Sequence, residues 1–297
     1  MTDLQKVKVR GKHSAKRTQM LDYFILLAAF IVLAGFFVFE NNDIVVSKFT
    51  YASERLPKAF EGFVIAQISD LHNKRFGANQ KRIFQKLKDA NPDLIVVTGD
   101  VLDHRRYDFA PVIELMNGAK KLAPVVYVPG NHEESTGRYI EIKEALLRAG
   151  VTVLGDASYT VSRDDDTVTV LGVLDPAFSK LRQTRKTDAS DMRRFLNTQY
   201  EENDFTILLS HRAELLKLYS EVGVDLVFAG HAHGGQIRLP FIGGLYAPGQ
   251  GVFPKYTSGR HDAGNTTMYI SRGLGNSVFP LRIFNRPELV VVTLKVK

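Results

Sequence analysis

The sequence predicts an α/β protein of two packed sheets with helices outside, carried on one N-terminal membrane helix. Three observations lead there. A charge-free apolar run stands near the N-terminus. After it, short apolar runs alternate with helical spacing, the pattern of parallel strands joined by crossover helices. The last third of the chain is rich in strand patterns separated by Gly and Pro.

The chain has 297 residues, 44% apolar and 24% charged, enough for one large α/β domain or two small ones. It contains no cysteine, which excludes disulfides, thiolate zinc sites and cysteine nucleophiles. The net charge of +7 is unevenly spread. Residues 1–20 hold six Lys or Arg and one Asp, a net +5, so the remainder is nearly neutral. A neutral folded region does not suit binding to a phosphate backbone, and no nucleic-acid partner is expected. No protein partner is predicted either.

Tyr23 to Phe39 forms an uncharged run of 17 residues. At 1.5 Å per residue it reaches roughly 25 Å, and snorkelling flanks cover the remainder of a bilayer. Basic residues precede it, and Glu40 and Asp43 follow it. The positive-inside rule then puts the N-terminus in the cytoplasm and the rest of the chain outside the cell membrane. A cleaved signal peptide would close on a small-x-small site, whereas this run closes on Phe36, Phe37, Val38, Phe39 and Glu40. The expected organisation is a basic cytoplasmic tail at 1–20, a transmembrane signal-anchor at 21–40, a connector at 41–60 with a brief strand near Ile44–Phe49, and the main domain at 61–297.

Within that domain, Phe63–Ser69, Asp93–Thr98 and Pro124–Val128 read as buried strands. Asn79–Ala90, Phe109–Lys121 and Gly137–Ala149 carry helical spacing between and after them. Tyr159–Ser162 and Thr167–Gly172 flank an acidic turn and read as a hairpin. A helix near Asp188–Gln199 follows. Next come a strand at Phe205–Leu209, a helix at Ala213–Glu221 and a strand at Leu226–Ala229. Strands at Gln236–Leu239, Thr267–Ser271 and Leu289–Val296 end the chain.

The chemistry lies where strands stop. They run into Asp70-Leu71-His72, Gly99-Asp100, Gly130-Asn131-His132-Glu133, Ser210-His211 and Gly230-His231-Ala232-His233. Ligands of open α/β sheets bind beyond the carboxyl ends of strands. Five of the eight histidines lie at these ends, with two aspartates and an asparagine. Buried charges so assembled need an opposing charge such as a metal. The candidate ligands are Asp70, His72, Asp100, Asn131, His211, His231 and His233. Mixed oxygen and nitrogen donors suit Mn, Fe or Zn better than Ca or Mg, and seven exceed one tetrahedral site. A bridging carboxylate can serve two ions.

The ordered blocks D-x-H, G-D-x-x-D, G-N-H-E, a lone His and G-H-x-H, spanning residues 70–233, resemble the calcineurin-like metallophosphoesterase superfamily. The later runs at 230–240, 271–275 and 285–289 look like its bacterial membrane-associated branch, the YkuE/YaeI-like phosphodiesterases. The resemblance implies a four-layer sandwich of two mixed β-sheets flanked by helices. It implies two divalent metal ions: Asp70, His72 and His233 on one, Asn131, His211 and His231 on the other, and Asp100 between them. His132 would stand beside the scissile phosphate as the catalytic residue, with Asp103 and Glu133 orienting the groups in front of them. The implied reaction is attack on phosphorus by a metal-bridging hydroxide, with a phosphodiester or phosphomonoester as substrate, lipid-linked or from the cell envelope. A scaffold that had kept the fold but not the activity would have lost ligands, and an anchored interaction module would not need them.

Two further features are open in the sequence. Leu239–Pro254 is apolar and rich in Gly and Pro, and reads either as a membrane-facing loop or as a flap packed on the sheet. Arg238 and Arg272 are candidates for gripping a second phosphate.

Overall fold

The computed structural model describes residues 3–179, 189–277 and 279–297. Helix α1 (Asp3–Asn42) leads directly into strand β1 (Val45–Ser53). The expected connector thus contains a nine-residue strand, longer than the brief one anticipated. Next come β2 (Val64–Ile68), α2 (Lys81–Ala90), β3 (Leu94–Thr98), α3 (Ala110–Ala119) and β4 (Val125–Val128). The short helix α4 (Asn131–Ser135) precedes α5 (Tyr139–Arg148) and β5 (Thr152–Val153). The predicted hairpin is β6 (Ala157–Arg163) with β7 (Asp166–Gly172). Helix α6 (Ser190–Gln199) follows; the expected start at Asp188 lies outside the described residues.

The second half continues with β8 (Thr206–Arg212), α7 (Leu216–Val222) and β9 (Leu226–Gly230). Four two-residue strands then build two small hairpins: β10 (Arg238–Leu239) with β11 (Gly243–Gly244), and β12 (Tyr246–Ala247) with β13 (Gly251–Val252). Strands β14 (Gly259–Ala263), β15 (Thr266–Ile270) and β16 (Glu288–Val296) complete the chain. β10 lies within the strand expected at Gln236–Leu239; β11 to β14 have no strong period-2 apolar signal, which is why the sequence does not announce them.

Two six-stranded mixed sheets result. One has the order β1-β16-β2-β3-β4-β5, the other β14-β15-β9-β8-β7-β6. Strands β2 to β5 run parallel, as do β7, β8, β9 and β15. Strand alternation explains the layering. Ile65, Val96, Val126, Ile207, Leu209, Leu226 and Phe228 point between the sheets and form the central core. Ala66, Ile95, Val97 and Val125 point the other way, onto Ile83, Leu87, Val112, Leu115 and Ile142 of the helices. Leu208 and Val227 do the same on the far side, against Met192, Leu196 and Tyr219. The order is therefore helices, sheet, sheet, helices, and Gln67 links the sheets by donating to Thr98 Oγ1 and Ala229 O.

α1 is apolar and exposed over Gln19–Asn42, long enough to cross a membrane. Its last turn is different, because Glu40 and Asn41 are buried against the domain.

Candidate metal centre

The carboxyl ends of β2, β3 and β4 in one sheet and of β8 and β9 in the other open on one edge. Every expected ligand lies there. Asp70 and His72 follow β2, Asp100 follows β3, and Asn131 opens α4 after β4. His211 belongs to the end of β8, where a register irregularity between Leu209 and Arg212 re-aims the strand. His231 and His233 follow β9. The backbone turns sharply at these points. Asp70, His72, Asp100, His231 and His233 all have φ between 47° and 68°, a region that non-glycine residues rarely adopt. Such conformations persist at sites where the surroundings fix them. Gly99, at φ 85°, is required in its place: a Cβ there would lie 2.5 Å from Gly130 N and 2.8 Å from His211 Nδ1.

The distances divide the cluster into two groups that meet at one atom. His233 Nε2 lies 3.3 Å from Asp70 Oδ1 and 3.1 Å from His72 Nε2. His211 Nε2 lies 3.1 Å from His231 Nδ1. Asp100 Oδ2 is 3.7 Å from His72 Nε2 and 3.2 Å from His211 Nε2, so it borders both. Its other oxygen accepts the His132 backbone N–H at 2.9 Å. These carboxylates and imidazoles are buried.

The protonation chemistry of the cluster fits cations. Burial pulls His72 down to about 3, and pulls His231 and His233 well below the usual histidine range. The imidazoles of His72 and His233 are thus neutral, each with one ring nitrogen free to offer a lone pair. Burial lifts Asp70 to about 6, with the Asp100 charge adding to it against His211. His211 goes the other way. Burial lowers it, but the Asp100 charge and hydrogen bond outweigh burial and carry it to about 10. Asp100 is held well below the usual carboxylate range by His211, His132 and His72, against its own burial. The protein therefore gathers positive charge between Asp100 and His231 even from its own residues. Asp70 Oδ1 and Asn131 Oδ1 are buried acceptors with no protein donor. Native interiors rarely leave such atoms unpartnered unless an ion or water is bound.

The groups behind the cluster orient it. His211 Nδ1 faces the Thr98 carbonyl at 2.8 Å, which turns Nε2 to Asp100. Glu133, fully buried, accepts the backbone N–H of Gly130 at 2.7 Å and of Asp100 at 2.9 Å on one oxygen, and that of Leu102 at 3.1 Å on the other. It holds the Asp100 turn in place. Asp103 accepts from Arg105 at 3.1 Å and lies 3.7 Å from His132 Nδ1. His132 Nε2 lies 4.0 Å from Asp100 Oδ2, at the margin of both groups.

Several partners lack a sequence signal of their own. Arg212, which merely follows His211, donates to His231 Nε2 at 2.9 Å and pairs with Asp175 at 2.5 Å. A guanidinium only donates, so were His231 to hold a cation through Nδ1, its ring proton would sit on Nε2 and Arg212 would be left with Asp175 and Glu214 as partners. His104 Nδ1 is 3.1 Å from His132 Nδ1. Asn285 donates to the carbonyls of His233 and Gln236, each at 2.8 Å. Only the proximity of His104 and Arg212 to the motifs could have marked them. Arg238 and Arg272 are spent inside the fold: Arg238 donates to Gly234 O and Thr257, and Arg272 pairs with Glu288 at 3.0 Å. Beside His72 a cavity of about 350 Å³ opens, lined also by Lys74, Asp103, Arg106 and Asn276.

Comparison with known proteins agrees with this geometry. A family model for calcineurin-like phosphoesterases matches residues 63–235. The metallophosphoesterase YkuE of Bacillus subtilis (strain 168) is 30% identical over 86% of this chain and 87% of its own length. The phosphodiesterase YaeI of Escherichia coli (strain K12) is 28% identical over 78% of this chain and 82% of its own. A Danio rerio relative, named as a transmembrane protein with a metallophosphoesterase domain, is 26% identical over 82% of this chain and 55% of its own length.

Proposed function

The chain belongs to the calcineurin-like phosphoesterase family, and from that premise we propose that it is a membrane-anchored phosphodiesterase with a dinuclear metal centre. In this reading Asp70, His72 and His233 hold one ion, Asn131, His211 and His231 hold the other, and Asp100 joins them. The observation that carries it is the position of Asp100 Oδ2, within 3.7 Å of His72 Nε2 and 3.2 Å of His211 Nε2. Two divalent ions, when bound, supply Lewis acidity and a water acidic enough at neutral pH to attack phosphorus. The donor set favours Mn, Fe or Zn.

The protein's own groups do the rest. Burial holds His132 below the usual histidine range, so its ring is neutral at pH 7. The His104 backbone N–H donates to His132 Nδ1 at 3.4 Å, which leaves the ring proton on Nε2. Nε2–H then faces the margin of the cluster, where it donates to a phosphoryl oxygen and can pass its proton to the leaving oxygen. Buried side chains exclude bulk water and strengthen each of these interactions. A phosphodiester is favoured over a monoester because the relative YaeI is named a phosphodiesterase. The basic first 20 residues support an N-terminus in the cytoplasm and a site on the outer face, within reach of lipid or cell-envelope phosphoesters.

Metal analysis of the full chain, with an assay of bis-p-nitrophenyl phosphate in Mn²⁺, tests the centre. Two ions per chain with turnover, and loss of both ions' tight binding in Asp100→Asn, are expected. A single ion, or an Asp100→Asn variant that retains two, would remove Asp100 from its bridging place.

A further inference from the structure

We infer that the small hairpins at 239–253 and the loop at 279–284 form a face that seats in a lipid bilayer, beside the metal cluster. The inference rests on the anchor reading of α1, not on the catalytic reading.

Outside α1, and among the described residues, twelve large apolar side chains are exposed; nine of them lie between Leu239 and Phe284. Isolated exposed apolar groups are ordinary, but a concentration of them marks an interaction surface. Three of the nine are unusual in another way. Phe241, Phe253 and Phe284 all have positive φ, at 67°, 53° and 50°. A bulky aromatic residue in that region is an outlier, and here no burial within the fold offsets it. Phe241 is fully exposed at the tip of the β10–β11 hairpin, whose last pair is Leu239 with Gly243.

These side chains share one surface. Arg238 N donates to Ile283 O, tying the first hairpin to the 279–284 loop. Leu239, Phe241, Ile242 and Phe284 border a common cavity of about 510 Å³. The surface then continues into α1. The Phe284 ring lies 5.5 Å from that of Phe36, and the Arg286 guanidinium lies 5.0 Å over Phe39. The occupant follows from that contact, because the apolar face of the helix read as the anchor meets this rim at Phe36 and Phe284. Charge does not oppose this occupant: residues 236–260 and 271–287 contain no Asp or Glu, and Lys255 is exposed among them, while Arg238, Arg272 and Arg282 are spent inside the fold. Aromatic and aliphatic groups at the headgroup boundary, with basic residues around them, are the chemistry of interfacial binding.

The face is fastened to the site. Leu245 N donates to Gly235 O, and Asn285 holds the His233 carbonyl. Seating the rim therefore places His233 and the cavity beside His72 close to the headgroup layer.

The chain has no tryptophan, so each introduced one is a sole reporter. The full chain is reconstituted in vesicles of phosphatidylethanolamine and phosphatidylglycerol, with and without brominated acyl chains. Phe241→Trp and Phe253→Trp report the face, and Phe30→Trp reports the anchor. Leu147→Trp, at the end of α5 remote from the cluster, reports water. Blue-shifted emission from the first two, largely lost in brominated lipid, with Leu147→Trp unaffected, is expected. Water-like, unquenched emission at 241 and 253 while Phe30→Trp is quenched overturns the inference and leaves the anchor standing. If Phe30→Trp is also unquenched, the anchor reading fails and the inference with it. Phosphodiester turnover in the same vesicles reports separately on catalysis.

Discussion

Asp100 shows how much one residue must be told by its neighbours. Its backbone lies at φ 50°, and both its N–H and the next turn are fastened by Glu133. Glutamine at 133 keeps one carbonyl oxygen but turns an NH₂ group on the remaining backbone donors. Glu133→Gln should therefore lower metal affinity by about 10–100-fold, as loss of an orienting partner does. It should also cost on the order of 1–3 kcal/mol of stability, through buried N–H groups left unpaired. Metal titration and denaturant unfolding of that variant check both; unchanged affinity would show that the Asp100 turn holds itself. His132 is the opposite case, a residue at the margin that contacts Asp100 without completing either group. His132→Ala should keep both ions and lose roughly 10²–10⁴ in turnover. Near-normal turnover would remove it from the reaction. Asp103 and Glu133 were legible beside the motifs as orienting carboxylates. Which atoms they orient was not, because a hydrogen bond depends on rotamer and turn geometry that residue order does not encode.

At the scale of elements, the junction between α1 and β1 matters most. Asn41 Oδ1 accepts from Arg282 N at 3.0 Å and from Asn276 Nδ2 at 2.9 Å, and Glu40 accepts from Asn285 N at 2.8 Å. Lys74 donates to the Asn41 carbonyl, and Asp43 pairs with Arg286 at 2.6 Å. The helix thus ends on the same loop that holds Asp70 and His233, through Gly275 N to Asp70 O and Asn285 to His233 O. β1 then pairs along its whole length with β16, from Val45 opposite Glu288 to Ser53 opposite Val296. A chain beginning at residue 44 should fold and bind metal; one beginning at residue 61 should aggregate, because β16 becomes an open edge and Tyr51, Leu56 and Phe60 are lost from the core. Soluble, metal-binding protein from the shorter chain would contradict this. The strands and helices from Phe63 to Ala149 were legible because buried parallel strands are continuous apolar runs. Of the hairpins at 238–252 only β10 was, within the strand expected at Gln236–Leu239; the other two-residue strands carry no period.

The whole molecule is a compromise between burial and charge. Asp70 and Asp100 lie buried among histidines at the meeting of both sheets, and without a cation between them these two carboxylates oppose one another. At a metal concentration about 1,000 times Kd, binding stabilises by about 4 kcal/mol. For a domain of this size that raises the midpoint of thermal unfolding by roughly 8–16 °C. A melting curve with and without chelator measures it, and coincident curves would show that the cluster is not a metal centre. The sequence by itself determined the layers, the polar groups at the strand ends, the long apolar N-terminal helix and the separation of the basic tail from the rest. Each of these is written in local periodicity or in short motifs, because a strand exposes alternate residues and a helix every third or fourth, whatever surrounds them. Only the tertiary structure decided that the groups meet at Asp100 Oδ2, that Arg212 and Asn285 serve His231 and His233, and that the end of the helix, the exposed phenylalanines and the cluster share one edge. Those relations join residues up to 245 positions apart, as Glu40 and Asn285 are, and they exist only once two sheets have packed face to face.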